Sequence, residues 1–118
     1  MAGTIAADTL THSTAGSIAT NYVVNGSAKA WGYYQFVGGA PTDRDSFNIS
    51  GLTDIAAGRT TVSFTNNMNS AYYSTAGVSG DDKHVFKRSE TSSSFEWASY
   101  NAGYADSDMA HTTDGELA

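Results

Sequence analysis

Hydrophobic and polar residues alternate along most of the chain, which predicts short β-strands rather than helices. The clearest case is RTTVSFT, residues 59–65, where Val62 and Phe64 point inward and the residues between them point outward. Further strands are expected at residues 28–36, 46–52, 71–76, 84–88 and 95–100, with a last element near 104–111. No segment has the start, body and stop of a helix. The pattern therefore predicts an all-β fold, an antiparallel β-sandwich with turns rich in Gly, Asn, Asp and Ser.

The strand AKAWGYYQF, residues 28–36, carries large side chains on both of its faces. One face holds Lys29, Trp31, Tyr33 and Gln35, and the other holds Ala30, Gly32, Tyr34 and Phe36. Because a single core covers only one face of a strand, either Trp31 and Tyr33 or Tyr34 and Phe36 should meet a second surface. A Gly-Gly loop is expected next, at residues 37–43, and Met68 is expected to fill one end of the core.

Residues 1–24 are polar and small, with apolar residues too sparse for a core helix. We interpret them as an extended N-terminal arm that precedes a β-sandwich domain at residues 25–118. Ordering such an arm costs about 1–2 kcal/mol per residue in backbone entropy. We therefore expect it to lie against a neighbouring subunit or a larger assembly, the alternative being a frayed terminus. The expected anchors are Ile5, Leu10 and Tyr22.

Length and charge narrow the possible partners. The chain has 118 residues, enough for one domain, and its 6 Lys and Arg against 12 Asp and Glu give a net charge of -6. This balance argues against nucleic acid and against anionic membranes as partners. The first residues lack the basic start and apolar centre of a signal peptide, so we expect synthesis in a cytoplasm. The absence of Cys excludes disulfides and thiolate metal sites.

Catalytic motifs are missing from the sequence. His12, His84 and His111 lack the spacing of a zinc site and are expected on the surface. Asp81-Asp82 is interpreted as a solvated turn, and the pair Asp106 and Asp108, on one predicted strand face, is only a weak calcium or acid–base candidate. There is no Gly-x-Ser-x-Gly elbow and no phosphate loop. We therefore predict no enzyme activity, no catalytic residue, no metal and no cofactor.

Aromatic residues are more numerous than a small core needs. Trp and Tyr dominate protein interfaces and also stack on sugar rings. The ion-pair cluster Asp43-Arg44-Asp45 could hold a loop in place or bridge subunits, although such a cluster alone is worth little. The residues expected at subunit interfaces are Trp31, Tyr33, Arg44, Tyr22, Ile5 and Leu10.

The segment from residue 25 to residue 77 resembles a domain that is common in tailed phages. The resemblance is carried by NGSAKAW, then RDSFNISGLTD, then TTVSFTNNMNSAYYSTAG. The domain recurs at the ends of tail fibres and tailspikes and in small stand-alone virion proteins. Its resemblance implies a homotrimeric β-sandwich on a virion surface, with no catalytic residues to transfer.

The chain departs from that domain in two places. Family members often have an Asn-Phe-Asn-Gly type of sequence after the tryptophan, where this chain has GYYQF, and no shared pattern follows Gly77. The divergent second half is where receptor contacts would lie. The receptor candidates there are Trp97, Tyr100 and Tyr104.

The short length favours a trimeric capsid decoration, or cement, protein over a tail fibre, which needs a shaft. Three arms acting together would grip the major capsid protein far more tightly than one. The alternative is an adhesin similar to a tail fibre or tailspike tip, which binds a host receptor or a host surface glycan. A third hypothesis is a glycan-degrading enzyme that uses Asp106 and Asp108. In the first two cases the expected location is the virion surface.

Overall fold

A computed structural model describes residues 3–118, and these residues form an almost entirely β structure. The bounds of the elements are β1 Thr9–His12, β2 Gly16–Ala19, α1 Thr20–Gly26, β3 Ala30–Val37, β4 Ala40–Phe47, β5 Ile49–Ala56, β6 Arg59–Phe64, β7 Ser74–Ser79, β8 His84–Arg88, β9 Ser94–Tyr100 and β10 Met109–Asp114. Strands β3 to β10 build two four-stranded sheets. The first sheet has the order β4-β3-β10-β7 and the second has the order β5-β6-β9-β8.

Neighbouring strands are antiparallel in both sheets, and the sheets pack in a sandwich-like arrangement, as the sequence predicted. The inward alternation of Val62 and Phe64 is confirmed, since both side chains are buried. Met68 is buried at the end of the core, which is also confirmed. The core cluster consists of Ala30, Tyr34, Val62, Phe64, Met68, Tyr73, Phe95, Trp97 and Met109.

Asn48 forms the corner at which the chain leaves the first sheet for the second. Strand β4 ends one residue before it and β5 begins one residue after it, and its φ of 58° lies in the left-handed region. The Asn48 side-chain amide donates to the carbonyl oxygens of Lys29 (3.0 Å) and Asn66 (3.1 Å), and its oxygen accepts from the Asn66 N–H (2.7 Å). The single strand predicted at residues 46–52 is therefore wrong. Phe47 ends up exposed on the outside of the sandwich.

The segment predicted as a loop, residues 37–43, is mostly strand. Gly38 and Gly39, with φ of 62° and 83°, make a tight two-residue turn between β3 and β4. Two successive positive φ angles are what a hairpin turn of this length requires, and glycine adopts them without strain. Pro41 is accommodated because β4 is an edge strand of its sheet.

His111 lies in the core rather than on the surface, so the sequence expectation for it is wrong. It lies on the inward face of β10, with its ring centroid 5.1 Å from that of Phe95. Burial lowers the pKa of His111 to about 4, which keeps the ring neutral near pH 7. His12 and His84 are exposed, as expected.

The N-terminal unit, residues 3–26, is not one extended arm. Strands β1 and β2 form a hairpin in which Leu10 pairs with Ile18, and the seven-residue helix α1 follows directly. The helix was not predicted, because its sequence TNYVVNG contains no strong capping or periodic signal. The side chains of the hairpin and the helix are not buried. Residues 1 and 2 of the predicted arm lie outside the described residues.

Candidate functional site

The two aspartates that were considered for catalysis, Asp106 and Asp108, each accept a hydrogen bond from a backbone N–H group. The Asp106 carboxylate accepts a hydrogen bond from the Gly58 N–H (2.7 Å), and the Asp108 carboxylate accepts one from the Phe36 N–H (3.1 Å). They thus fasten the loop before β10 to two different sheets. The prediction that they share a strand face is wrong, because β10 begins only at Met109.

Both carboxylates of the Asp81-Asp82 turn are bound to other side chains of the protein. Asp81 pairs with the Lys83 ammonium at 2.8 Å, which holds the pKa of the Asp81 carboxyl below its usual range. Asp82 accepts a hydrogen bond from the Asn101 side-chain amide (3.2 Å). Within residues 3–118, no group of three or more His, Asp or Glu side chains is placed to hold a metal ion.

The outer face of the first sheet carries the first exposed aromatic surface. The β3 alternation turns Tyr34 inward and leaves Trp31 and Tyr33 outward, 38% and 41% exposed. Their neighbours across the strands on the same face are also largely apolar. We call this surface the Trp31 face; its members are Trp31, Tyr33, Phe47, Ala76, Val78 and Ala110.

The strand register arranges the Trp31 face in two rows across the sheet. One row runs Phe47, Trp31, Thr112, Ala76, and the other runs Asp45, Tyr33, Ala110, Val78. Cross-strand neighbours on one face lie about 4.5–5.5 Å apart between Cβ atoms, so each row is a continuous strip. Phe47 and Val78 are exposed at the two sides of this surface.

Arg44 lies beside the Trp31 face, at a β-bulge of the β3–β4 pair. Its Nε donates to the Gln35 side-chain oxygen at 2.8 Å. Among the described residues it forms no ion pair with Asp43 or Asp45, so the predicted cluster within this triplet is wrong. The bulge explains the difference, because the extra residue points the guanidinium along β3 rather than back toward its sequence neighbours.

The N-terminal unit is the second part of the molecule with exposed apolar side chains. Ile5 is 90% exposed, and Leu10 and Tyr22 are exposed as well. A concavity lies between the first residues and the helix, where the Thr20 N–H and hydroxyl donate to the carbonyl oxygens of Asp8 (2.9 Å) and Ala7 (2.6 Å). The predicted anchors are therefore all accessible, on a hairpin and helix rather than on an extended chain.

Trp97 is not a surface residue, which removes it from the receptor candidates. It lies on the inward face of β9, is 2% exposed, and packs against Phe95 at 6.3 Å and His111 at 6.0 Å between ring centroids. The indole N–H has no hydrogen-bond partner among the described residues. The error arises because β9 is a central strand whose alternation buries Phe95, Trp97 and Ser99 together.

The other two receptor candidates, Tyr100 and Tyr104, contact each other on the outer face of the second sheet. Their rings meet edge to face, with 5.3 Å between centroids and an interplanar angle of 77°. The Tyr104 ring also lies 6.4 Å from the Phe86 ring and 5.9 Å below the Arg59 guanidinium carbon. We call the group the Tyr104 cluster; its members are Arg59, Phe86, Arg88, Tyr100 and Tyr104.

Two guanidinium groups border these rings. The Arg88 Nη1 donates to the Tyr104 hydroxyl at 2.8 Å. The Arg59 Nε donates to the Glu96 carboxylate at 2.5 Å, and this contact holds the pKa of the buried Glu96 below its usual range. The three rings of the cluster are 39% (Phe86), 42% (Tyr100) and 42% (Tyr104) exposed.

Sequence reasoning missed several members of these two surfaces. Phe86 and Arg88 share a face of β8 by simple alternation in HVFKR, a signal that was available but not used. Phe47 lies in the segment predicted as one strand, residues 46–52, and its exposure depends on the corner at Asn48. Val78 was missed because β7 extends beyond the predicted strand, to Ser79.

The fold defines an all-β protein of two antiparallel four-stranded sheets, with one aromatic surface on each outer face. No protein-family model, curated protein or solved structure matches the chain. No helix in residues 3–118 has the length and apolar character needed to cross a membrane.

Proposed function

We propose that this chain is a structural protein of a tailed-phage virion, a homotrimeric decoration protein that lies on the outer capsid surface. The proposal combines the resemblance of residues 25–77 with the placement of exposed apolar side chains at two separate parts of the molecule. One part serves contacts between copies of the chain and the other serves contacts with the major capsid protein. The observation that carries the proposal is the Trp31 face.

The Trp31 face suits contact with another copy of the chain. Burying apolar surface contributes about 25 cal/mol per Å², and Trp and Tyr are the side chains that dominate interface energies. Trp31 and Tyr33 on β3 and Phe47 on the adjacent β4 lie on one face of one sheet, so a single partner surface can cover them together. Three copies that contact one another through this face would remove the rings from water.

The N-terminal unit suits attachment to a larger surface. An isolated two-stranded hairpin is marginally stable in water, and a seven-residue helix is too short to be stable alone. Leu10 and Ile18 face each other across the hairpin without being buried. A capsid surface that covers these side chains would stabilise the unit, and a trimer would present three such units at once.

The test is the location and number of copies on intact particles of the phage that encodes the chain. We expect hundreds of copies on the capsid, and we expect particles that lack the protein to lose resistance to heat or chelators. The triple variant Ile5→Ser, Leu10→Ser, Tyr22→Ser should remain trimeric but fail to attach. The matched control is Ile55→Ser and Tyr72→Ser, exposed residues outside the N-terminal unit. A few dozen copies at the tail, or full attachment of the triple variant, would refute the capsid proposal.

A second candidate function is host binding, as in a tail fibre or tailspike tip. The Tyr104 cluster favours it, because four of its five members, all except Arg59, lie in the half of the chain that diverges from the phage domain. The soluble protein should then bind host cells and block adsorption of the phage. Both functions are compatible on one virion-surface protein, since the Trp31 face and the Tyr104 cluster lie on different sheets.

A further inference from the structure

We propose that the Tyr104 cluster binds an acidic saccharide, a sugar chain whose units carry carboxylates. This inference specifies the ligand of the second candidate function and rests on it. The starting observation is that three half-exposed rings and two guanidinium groups meet on one small area of the second sheet.

The aromatic part of the cluster is fixed before any ligand arrives. Tyr104 lies in the loop after β9 and forms an antiparallel bridge with Tyr100, which folds the loop back toward the sheet. In the strand register, Ala98 pairs with Phe86 on one side and with Arg59 on the other. Ala98 faces outward and is nevertheless fully buried. Because the Tyr104 ring lies close to both Phe86 and Arg59, we infer that this ring covers Ala98. Rings that are already ordered lose little entropy on binding, and their faces suit the C–H groups of a pyranose ring.

Arg88 supplies the charge that a carboxylate requires. One of its nitrogens donates to the Tyr104 hydroxyl, and no Asp or Glu oxygen of residues 3–118 lies within 4.0 Å of its guanidinium nitrogens. Arginine has five N–H donors in a planar fork that matches a carboxylate. Arg88 therefore keeps donors for a ligand while its position is held by Tyr104.

Arg59 shows the contrasting case within the same cluster. Its Nε is paired with Glu96, so its charge is already compensated and its remaining contact is with the face of the Tyr104 ring. The five residues of the cluster and the Glu96 partner of Arg59 together carry two guanidinium groups and one carboxylate, an excess of one positive charge. The chain as a whole carries -6, so the cluster is a local exception that favours an anionic ligand.

The chemistry of the cluster fits a saccharide better than a protein surface. The Trp31 face consists of two rows of mostly apolar side chains across four strands, a composition that suits a protein interface. The Tyr104 cluster differs in composition, because its rings are bordered by Arg59, Arg88 and the exposed His84, which pairs with Tyr100 in the register. Aromatic rings beside a few fixed polar groups are the composition of a small-ligand site.

Calorimetric titration of the full chain with three pairs of oligosaccharides tests the inference. The acidic probes are oligomers of galacturonate, glucuronate and mannuronate, and each is compared with its neutral galactose, glucose or mannose counterpart. We expect at least one acidic probe to bind five-fold or more tightly than its counterpart. Arg88→Gln should weaken that probe about ten-fold and remove the preference, because the charge-assisted hydrogen bonds to its carboxylate are lost. Tyr104→Ala should weaken acidic and neutral probes alike.

The control is Tyr72→Ala, which removes an exposed tyrosine from another part of the surface and should leave affinity unchanged. Failure of all three acidic probes, or unchanged affinity in both cluster variants, overturns the inference. So does loss of subunit or particle assembly in Arg88→Gln, which would make the cluster a protein interface. If the chain binds host cells but no acidic probe, the ligand class alone is wrong. If it binds an acidic probe but neither cells nor their polysaccharide, host binding is wrong.

Discussion

The Tyr34 hydroxyl and the His111 Nε2 lie 2.8 Å apart at the centre of the sandwich, although the residues are 77 positions apart in the chain. The pair joins β3 to the neighbouring β10, and Phe95 and Trp97 of the second sheet pack against the imidazole. The Thr113 hydroxyl lies 3.3 Å from the other ring nitrogen, so both nitrogens of the buried ring have partners. Burial also raises the pKa of Tyr34, which keeps its hydroxyl protonated.

This pair predicts that the protein loses stability on mild acidification. The pKa of His111 falls from 6.5 to about 4 on folding, so the unfolded chain binds the proton more readily than the folded one. The free energy of unfolding should have its full value above pH 6.5 and should decrease as the pH drops toward 4. Over that window it should decrease by roughly 3 kcal/mol. Urea denaturation at half-unit pH steps measures the slope.

The variant His111→Gln should flatten this slope even if it lowers stability at pH 7. His84→Gln is the control, because His84 is exposed and its loss should leave the slope unchanged. Glu96 contributes only at the acid end, since its lowered pKa means that its stabilisation is lost when the pH falls below about 4.5. A wild-type stability that is constant between pH 6.5 and 5 would contradict the assignment of His111.

Gly77 predicts a second effect on the core. It lies opposite His111 on the edge strand β7, and a Cβ at this position would collide with the Ala110 carbonyl oxygen and the Trp97 ring. We expect Gly77→Ala to lower the free energy of unfolding by about 1–3 kcal/mol, as overpacking does. Gly51→Ala is the matched control, because nothing lies within 4 Å of its Cβ position. Equal stability of the two variants in urea would contradict the close packing of Gly77 against β10 and Trp97.

The corner at Asn48 predicts a graded pair of variants. Asn48→Ala loses four side-chain hydrogen bonds, the fourth being the one that the Asn48 oxygen accepts from the Asn66 side-chain amide (3.1 Å), and it places alanine at a φ of 58°. We therefore expect a loss of about 2 kcal/mol or more. Asn48→Gly loses the same hydrogen bonds but relieves the backbone, so it should be less destabilising. Asn67→Ala, at an exposed neighbour, should be close to neutral in the same denaturation experiment. If the glycine variant is the less stable of the two, backbone strain is not what selects Asn48.

Alternation predicted the sandwich because it reports directly which side chains face a core. Val62 and Phe64 are buried as predicted, and the bounds of β8 match the predicted strand at residues 84–88. The split of β3 into two faces was also predictable, and the structure shows that Trp31 and Tyr33 form the outward pair.

Features that depend on long-range contacts were not predictable from the sequence. Trp97 and His111 are buried because both lie on the inward faces of their strands and pack against each other across the two sheets, which no local pattern reveals. The sequence around Asn48 alternates as one continuous strand would. Phe47 is exposed only because the chain leaves the first sheet at Asn48 and β5 joins the second sheet. The Tyr104 cluster requires the loop after β9 to fold back, which brings together residues from three separate segments.

The hydrogen bond of Asp106 predicts that its substitution lowers the stability of the fold rather than a catalytic activity. Its carboxylate is the acceptor for the N–H of Gly58, a buried residue in the turn between β5 and β6, and loss of such a partner costs about 1–3 kcal/mol. Asp106→Ala should therefore be destabilised by that amount, and Asp106→Asn, which keeps an acceptor oxygen, should lose less. Asp54→Ala, at an exposed site, is the control. Glycan-degrading activity that disappears in a fully stable Asp106→Asn variant would revive the enzyme hypothesis.

The Trp31 face predicts that assembly depends on two rings that the core does not use. The double variant Trp31→Ser, Tyr33→Ser should shift sedimentation equilibrium from trimer to monomer, because both side chains point away from the core. Its urea midpoint, measured where the wild type is also dissociated, should change little for the same reason. Tyr72→Ser, which removes a ring that is 97% exposed and lies outside this face, should remain trimeric. A wild-type chain that sediments as a folded monomer at micromolar concentration would remove the physical basis for a trimer, since the exposed rings would then be tolerated in water.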